Sequence, residues 1–232
     1  MKSPLLKNVE TPGTPRDRQF RIVLLILCAI GAAAAARRIV ALAGTAPAPS
    51  SEFLSLDAHF FEKARLTLLH VVPSLLFVLL VPLQFAASLR QRYPRVHRWI
   101  GRLTLSLGVV IGISALMLSA HPVGGVVEGT ATIFFGLLFL FCLAKAWWHI
   151  RNRQIELHRE WATRMVAIVL GVATTRPIMA VFFATSRLTG LKPEQFFGPA
   201  MWLGFISTWL AGEVWIRYTR SQIAHRSPVL AG

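Results

Sequence analysis

Charge is scarce in this chain. Charged residues make up 15% of its 232 positions, against roughly 25% in a soluble globular domain. Acids are scarcer still: ten Asp and Glu stand against 25 Lys and Arg, for a net charge of +15. Cysteine is limited to Cys28 and Cys142, each inside an apolar run. That excludes a disulfide framework, a C-x-x-C redox pair and a cysteine-rich metal site. No P-loop and no Ser/His/Asp constellation is present. A net charge of this size raises nucleic acid as a partner. Here the basic residues sit at the ends of apolar spans, which points to anionic lipid headgroups and not to nucleic acid.

What is abundant is apolar. Hydrophobic residues make up 54% of the chain and mean hydropathy is +0.55. Charges cluster between apolar blocks, the pattern of an all-α polytopic membrane bundle. Six transmembrane helices are predicted, at about 21–42, 63–89, 99–120, 130–148, 161–184 and 200–216, giving one transmembrane domain over 20–220. Residues 1–19 read as a mobile cytoplasmic tail and 221–232 as a cytoplasmic tail. The basic start and first apolar run resemble a signal peptide. The length of the tail and the Arg37-Arg38 pair favour a retained first helix, with both arginines snorkelling to the interface.

Residues 44–60 are too polar to cross a bilayer, and Asp57 is a candidate cap for the second span. Pro73 and Pro82 predict a bent second helix, and Pro177 a bend in the fifth. Gly108 and Gly112 form a G-x-x-x-G for packing inside the molecule. The bundle core is expected in helices two to five, with the first and sixth packed outside.

Lys and Arg set the orientation. Eighteen fall in the N-terminal stretch, the 90–102 turn, the 145–164 region and the C-terminal stretch, six fall on the other side, and Arg176 lies within a span. The positive-inside rule then puts both termini in the cytoplasm and the protein in a bacterial inner membrane.

Polar residues inside spans are costly and therefore informative. His70 and Arg176 fall at similar depth in the outer half, with Thr174 and Thr175 beside Arg176 and His121 and Glu128 bracketing the short turn above. No acid lies in a span at the depth of Arg176, and Glu128 is the nearest by sequence. These residues form a candidate ligand pocket. His70 and His121, on consecutive antiparallel spans, are the best pair for a haem b iron, with Arg176 meeting a propionate. A quinone is the other redox ligand. A transporter of a small anionic solute or proton uses the same pocket, with the prolines allowing bending. A non-catalytic accessory or assembly subunit, with a membrane partner or as a homodimer, is the third class.

A weak repeat opens two spans on the inner side. His97-Arg98-Trp99-Ile100-Gly101-Arg102 starts the third and His158-Arg159-Glu160-Trp161-Ala162-Thr163-Arg164 the fifth. Cations at a helix N-terminus oppose the macrodipole, so lipid phosphate or another anion is expected there. These two motifs, with Leu83-Gln84-Phe85 and Leu89-Arg90, resemble the bacterial predicted membrane protein family called domain of unknown function 2306, over roughly residues 60–190. The resemblance implies a fold and a membrane location, not a reaction. The spread of histidines is distantly similar to cytochrome b561-like and ferric-reductase-like bundles. Those carry their histidines deep in helices, whereas His97, His149 and His158 sit at helix ends here.

Overall fold

A computed structural model describes residues 15–44 and 60–226. Asp57 and most of the first polar loop lie outside them, as do residues 1–14 and 227–232. Every element among the described residues is helical. Apolar runs in a bilayer can satisfy their backbone only internally, which selects helices. The elements are α1 (Pro15–Ala43), α2 (Ala64–Phe85), α3 (Ala87–Arg92), α4 (Pro94–Leu118), α5 (Gly125–Arg151), α6 (Ile155–Thr189) and α7 (Pro193–Arg226). Five of them, α1, α2, α4, α5 and α6, contain stretches long and apolar enough to cross a membrane.

Helix starts and stops follow local chemistry, and the helices outrun the apolar runs. α1 begins at Pro15, inside the stretch read as a tail, and α7 continues to Arg226, past the second boundary. Ala86 is extended (φ −71°, ψ 112°) and separates α2 from the short α3, which takes the first residues of the expected basic turn, 90–92. Tyr93 precedes Pro94 and takes a non-helical conformation (φ −130°, ψ 63°), as a residue before proline tends to. Pro94 then opens α4, where its missing N–H costs nothing. Gly190 ends α6 in the left-handed region (φ 67°), with its N–H donating to the Ser186 carbonyl at 2.8 Å. Pro73, Pro82 and Pro177 all lie inside continuous helices.

The helices pack as a ring. α1 meets α2, α2 meets α4, α4 meets α5, α5 meets α6, and α6 returns to α1. α7 packs along the groove between α5 and α6. The expected inner set of helices two to five is therefore corrected: α1 is a wall of the ring, and α7, expected outside, also reaches the cavity through Phe197, Met201 and Phe205. α1 is needed because α2 and α6 would otherwise leave the ring open on one side.

Gly108 and Gly112 press α4 onto α5. A Cβ on Gly108 would come within 2.5 Å of the Leu143 side chain, and one on Gly112 would strike Leu140. The motif works within the molecule. Connections at 44, 119–124 and 190–192 share one end, the His121 end, and those at 86–93 and 152–154 share the opposite, Arg90 end.

Candidate functional site

The ring encloses a cavity of about 240 Å³ lined by residues of α1, α2, α4, α5, α6 and α7. His70, Glu128, Thr175 and Arg176 all line it. These residues come from three helices far apart in sequence. Its floor is apolar, with Phe135 and Phe139 among the walls, while Thr67, Ser74 and Arg38 add polar groups.

His121 stands elsewhere. It lines a smaller pocket of about 40 Å³ at the mouth, with Lys63 and Ser119. Phe60, Thr67, Leu118, Glu128 and Thr132 line both spaces, so the two adjoin. His70 and His121 therefore do not share the cavity wall. Measured against haem b, the cavity wall supplies one imidazole rather than a facing pair. The two-histidine haem site does not fit this arrangement.

The orientation of the His70 ring follows from its neighbours. Ser114 Oγ donates to the Val110 carbonyl at 2.6 Å. Its single proton is thereby committed, so it accepts from His70 Nδ1, 3.1 Å away. In the neutral ring, Nε2 then carries the lone pair. The His70 carbonyl is held in turn by the Ser74 hydroxyl at 2.7 Å. That extra bond lies one residue after Pro73, where the helix lacks a donor.

Arg176 lines the cavity and is itself exposed, so the cavity is open at this side chain. Arg38 also lines the cavity, and Arg37 and Arg38 are close enough to repel its charge. The Arg38 guanidinium stacks on the Phe60 ring at the mouth, 4.1 Å from its centre. Glu128 accepts from the Gly124 N–H at 2.6 Å and so closes the first turn of α5.

At the Arg90 end the two repeated motifs diverge. Arg164 forms a bidentate ion pair with Glu213 of α7, Nε to Oε1 at 2.6 Å and Nη2 to Oε2 at 3.0 Å. It also lies over Trp161, 4.7 Å from the ring centre. Glu160 pairs with Arg220 of α7. Arg164 is thus a clamp between helices and not a lipid-facing residue. Arg102 stacks on Trp99 at 5.5 Å. Arg90 of α3 lies within electrostatic range of Arg159, and His97 within range of Arg90, Arg98 and His158. Partial desolvation, then the charge of Arg159, hold the Arg90 guanidinium below its ordinary range, with Glu156 opposing.

Sequence reasoning missed Ser114, Ser74 and Glu213. Glu213 left a signal: a lone acid in an apolar run, with a lone arginine, Arg164, at a similar level of an antiparallel span. Ser114 left none beyond being a small polar residue among several in α4. Among the described residues no group of three or more His, Cys, Asp or Glu side chains forms a metal site.

No curated protein and no solved structure matches the chain. A family model does. Residues 67–216, well over half of the chain, match the family described as "Predicted membrane protein (DUF2306)", and the chain belongs to that family.

Proposed function

We propose that this is a six-span bacterial inner-membrane protein, with both termini cytoplasmic, that binds a redox-active ligand of the quinone class in its ring cavity. The observation that carries this reading is the pairing of a donor and an acceptor on one cavity. Arg176 offers only N–H donors. His70, with Nδ1 committed to Ser114, offers a lone pair at Nε2. A quinone carbonyl accepts from the first, and a quinol hydroxyl donates to the second. The apolar walls suit the ring. The cavity lies toward the His121 end, which the charge asymmetry makes the outer half. α7 supplies the sixth span, its acid neutralised by Arg164.

The test is to extract and assay quinone from protein purified out of native membranes, and to record its absorbance spectrum. Near-stoichiometric quinone that falls at least tenfold in Arg176→Ala and His70→Ala supports the reading. Quinone-free, colourless protein removes it. A Soret band lost in His70→Ala would replace quinone by haem.

A further inference from the structure

The cavity has two boundaries toward its surroundings, and they are built differently. At the His121 end the way is capped. Phe60 lines both the cavity and the mouth pocket. The Arg38 guanidinium covers its ring, 4.1 Å from the centre. The Thr67 hydroxyl donates to the Phe60 carbonyl at 3.3 Å and holds the same residue from α2. Thr67 is itself only 2% exposed, so the cap is anchored in the bundle.

The boundary between α1 and α6 is thinner. Among the described residues, α1 gives the cavity only Gly31, Ala34, Ala35 and Arg38. Below Arg38 those side chains stop at a methyl group or a hydrogen. Gly31 closes the seam at its own level, since a Cβ there would stand 3.6 Å from the Ala173 Cβ, in ordinary van der Waals contact. α1 and α6 run parallel, both toward the His121 end. One turn nearer that end, the seam residues are Ala34 and Ala35 on α1 and Arg176 on α6. There the wall is open, because Arg176 lines the cavity and is exposed. Arg176 makes no hydrogen bond or ion pair with the described residues. A cation at bilayer depth is costly, and one so placed marks a ligand path.

We propose, resting on the quinone reading above, that this gap is a lateral portal to the bilayer and that the ligand is a quinone bearing a lipid-soluble isoprenoid tail. The ring seats in the cavity with a carbonyl at Arg176, and the tail leaves between Arg176 and the methyl groups of Ala34 and Ala35. The carbonyl supplies the acceptor that the described residues do not give Arg176. The tail stays among acyl chains throughout. Drawing it through the mouth would carry apolar surface past Lys63, Ser119 and His121, where water competes. The small residues of α1 serve this passage, because a larger side chain at either alanine would fill the gap.

The experiment uses the full chain in phosphatidylcholine nanodiscs and two naphthoquinones, menadione without a tail and a menaquinone with four isoprene units. Binding is followed by quenching of tryptophan fluorescence, with Trp202 placed 5.4 Å from the Phe135 ring of the cavity wall. Affinities are expressed per mole fraction in the lipid, so that partitioning of the tail cancels. Wild type is expected to hold the menaquinone about tenfold more tightly than menadione. Ala34→Phe and Ala35→Phe should each cut that preference about fivefold and slow menaquinone association, with Ala35→Leu falling between. Ser119→Phe, which narrows the mouth pocket, should leave menaquinone association as it is. Slowing by Ser119→Phe and not by the α1 variants would overturn the portal in favour of the mouth. Equal affinity of wild type for the two quinones would overturn the tail and leave the quinone reading standing. Binding of neither quinone would end both. Helical circular dichroism is recorded for each variant, and where phenylalanine disturbs α1 the shift in Ala35→Leu decides.

Discussion

Single hydrogen bonds decide what His70 can do. Its Nδ1 donates to a serine whose own proton is spent on Val110. Ser114→Ala removes that acceptor and frees the ring to turn. A lost bond inside a dry bundle costs about 1–3 kcal/mol. Binding of a quinone analogue, followed by tryptophan fluorescence quenching, should weaken at least fivefold, and Ser114→Thr should recover most of it. Unchanged binding would show that the tautomer is irrelevant. A second residue pair governs stability. Arg164 and Glu213 are mostly enclosed, at 13% and 24% side-chain exposure. Glu213→Ala removes the bidentate partner and leaves Arg164 only Glu160, 3.8 Å away, which should cost about 1–3 kcal/mol, whereas Arg164→Met with Glu213→Leu should be near neutral. Reversible unfolding in mixed micelles distinguishes the two. Histidines and arginines inside spans were legible from cost alone. Their partners were not, because Ser114 and Glu213 acquire meaning only once α4 meets α2 and α7 meets α6.

Close approach fixes α7 onto α6. A Cβ on Gly204 would lie 2.7 Å from the Gly171 carbonyl oxygen and 3.0 Å from the Thr175 nitrogen. Both are backbone atoms and cannot step aside as a side chain can. Gly204→Ala should therefore destabilise by about 1–3 kcal/mol. Gly129→Ala, whose nearest neighbours stand 3.6 Å away, should be neutral or slightly stabilising, because alanine favours helix. Thermal unfolding of the two variants side by side checks the contrast; equal melting would mean that the α6–α7 seam is loose. Thr175, beside this seam, also faces the cavity, so the same substitution disturbs the ligand site. Helix identity was legible in the apolar runs. Helix length was not, since α6 and α7 carry polar termini such as Ile155–Arg159 and Ser221–Arg226 that no bilayer-length rule includes.

The whole molecule is a ring of five helices with α7 packed into the α5–α6 groove, and its proposed orientation rests on the Lys and Arg asymmetry. Reporter fusions at both ends should be active only as cytoplasmic reporters, and a fusion after Gly190 only on the opposite side. A C-terminal reporter exposed outside would leave α7 lying along the bundle without crossing it. The order of helices around the ring was hidden from sequence, because periodicity shows that a helix is apolar but not which neighbour it meets. Closure has a kinetic meaning as well. The seam between α1 and α6 joins segments whose ends, Ala43 and Thr189, are made far apart in time. At roughly 5–20 residues per second, the gap is about 7–30 s. During that interval His70 already sits in a partial wall, open on the side that α6 will fill. The incoming helix delivers Arg176 last, so the most costly residue to place in lipid enters when the polar lining that receives it has already been laid down.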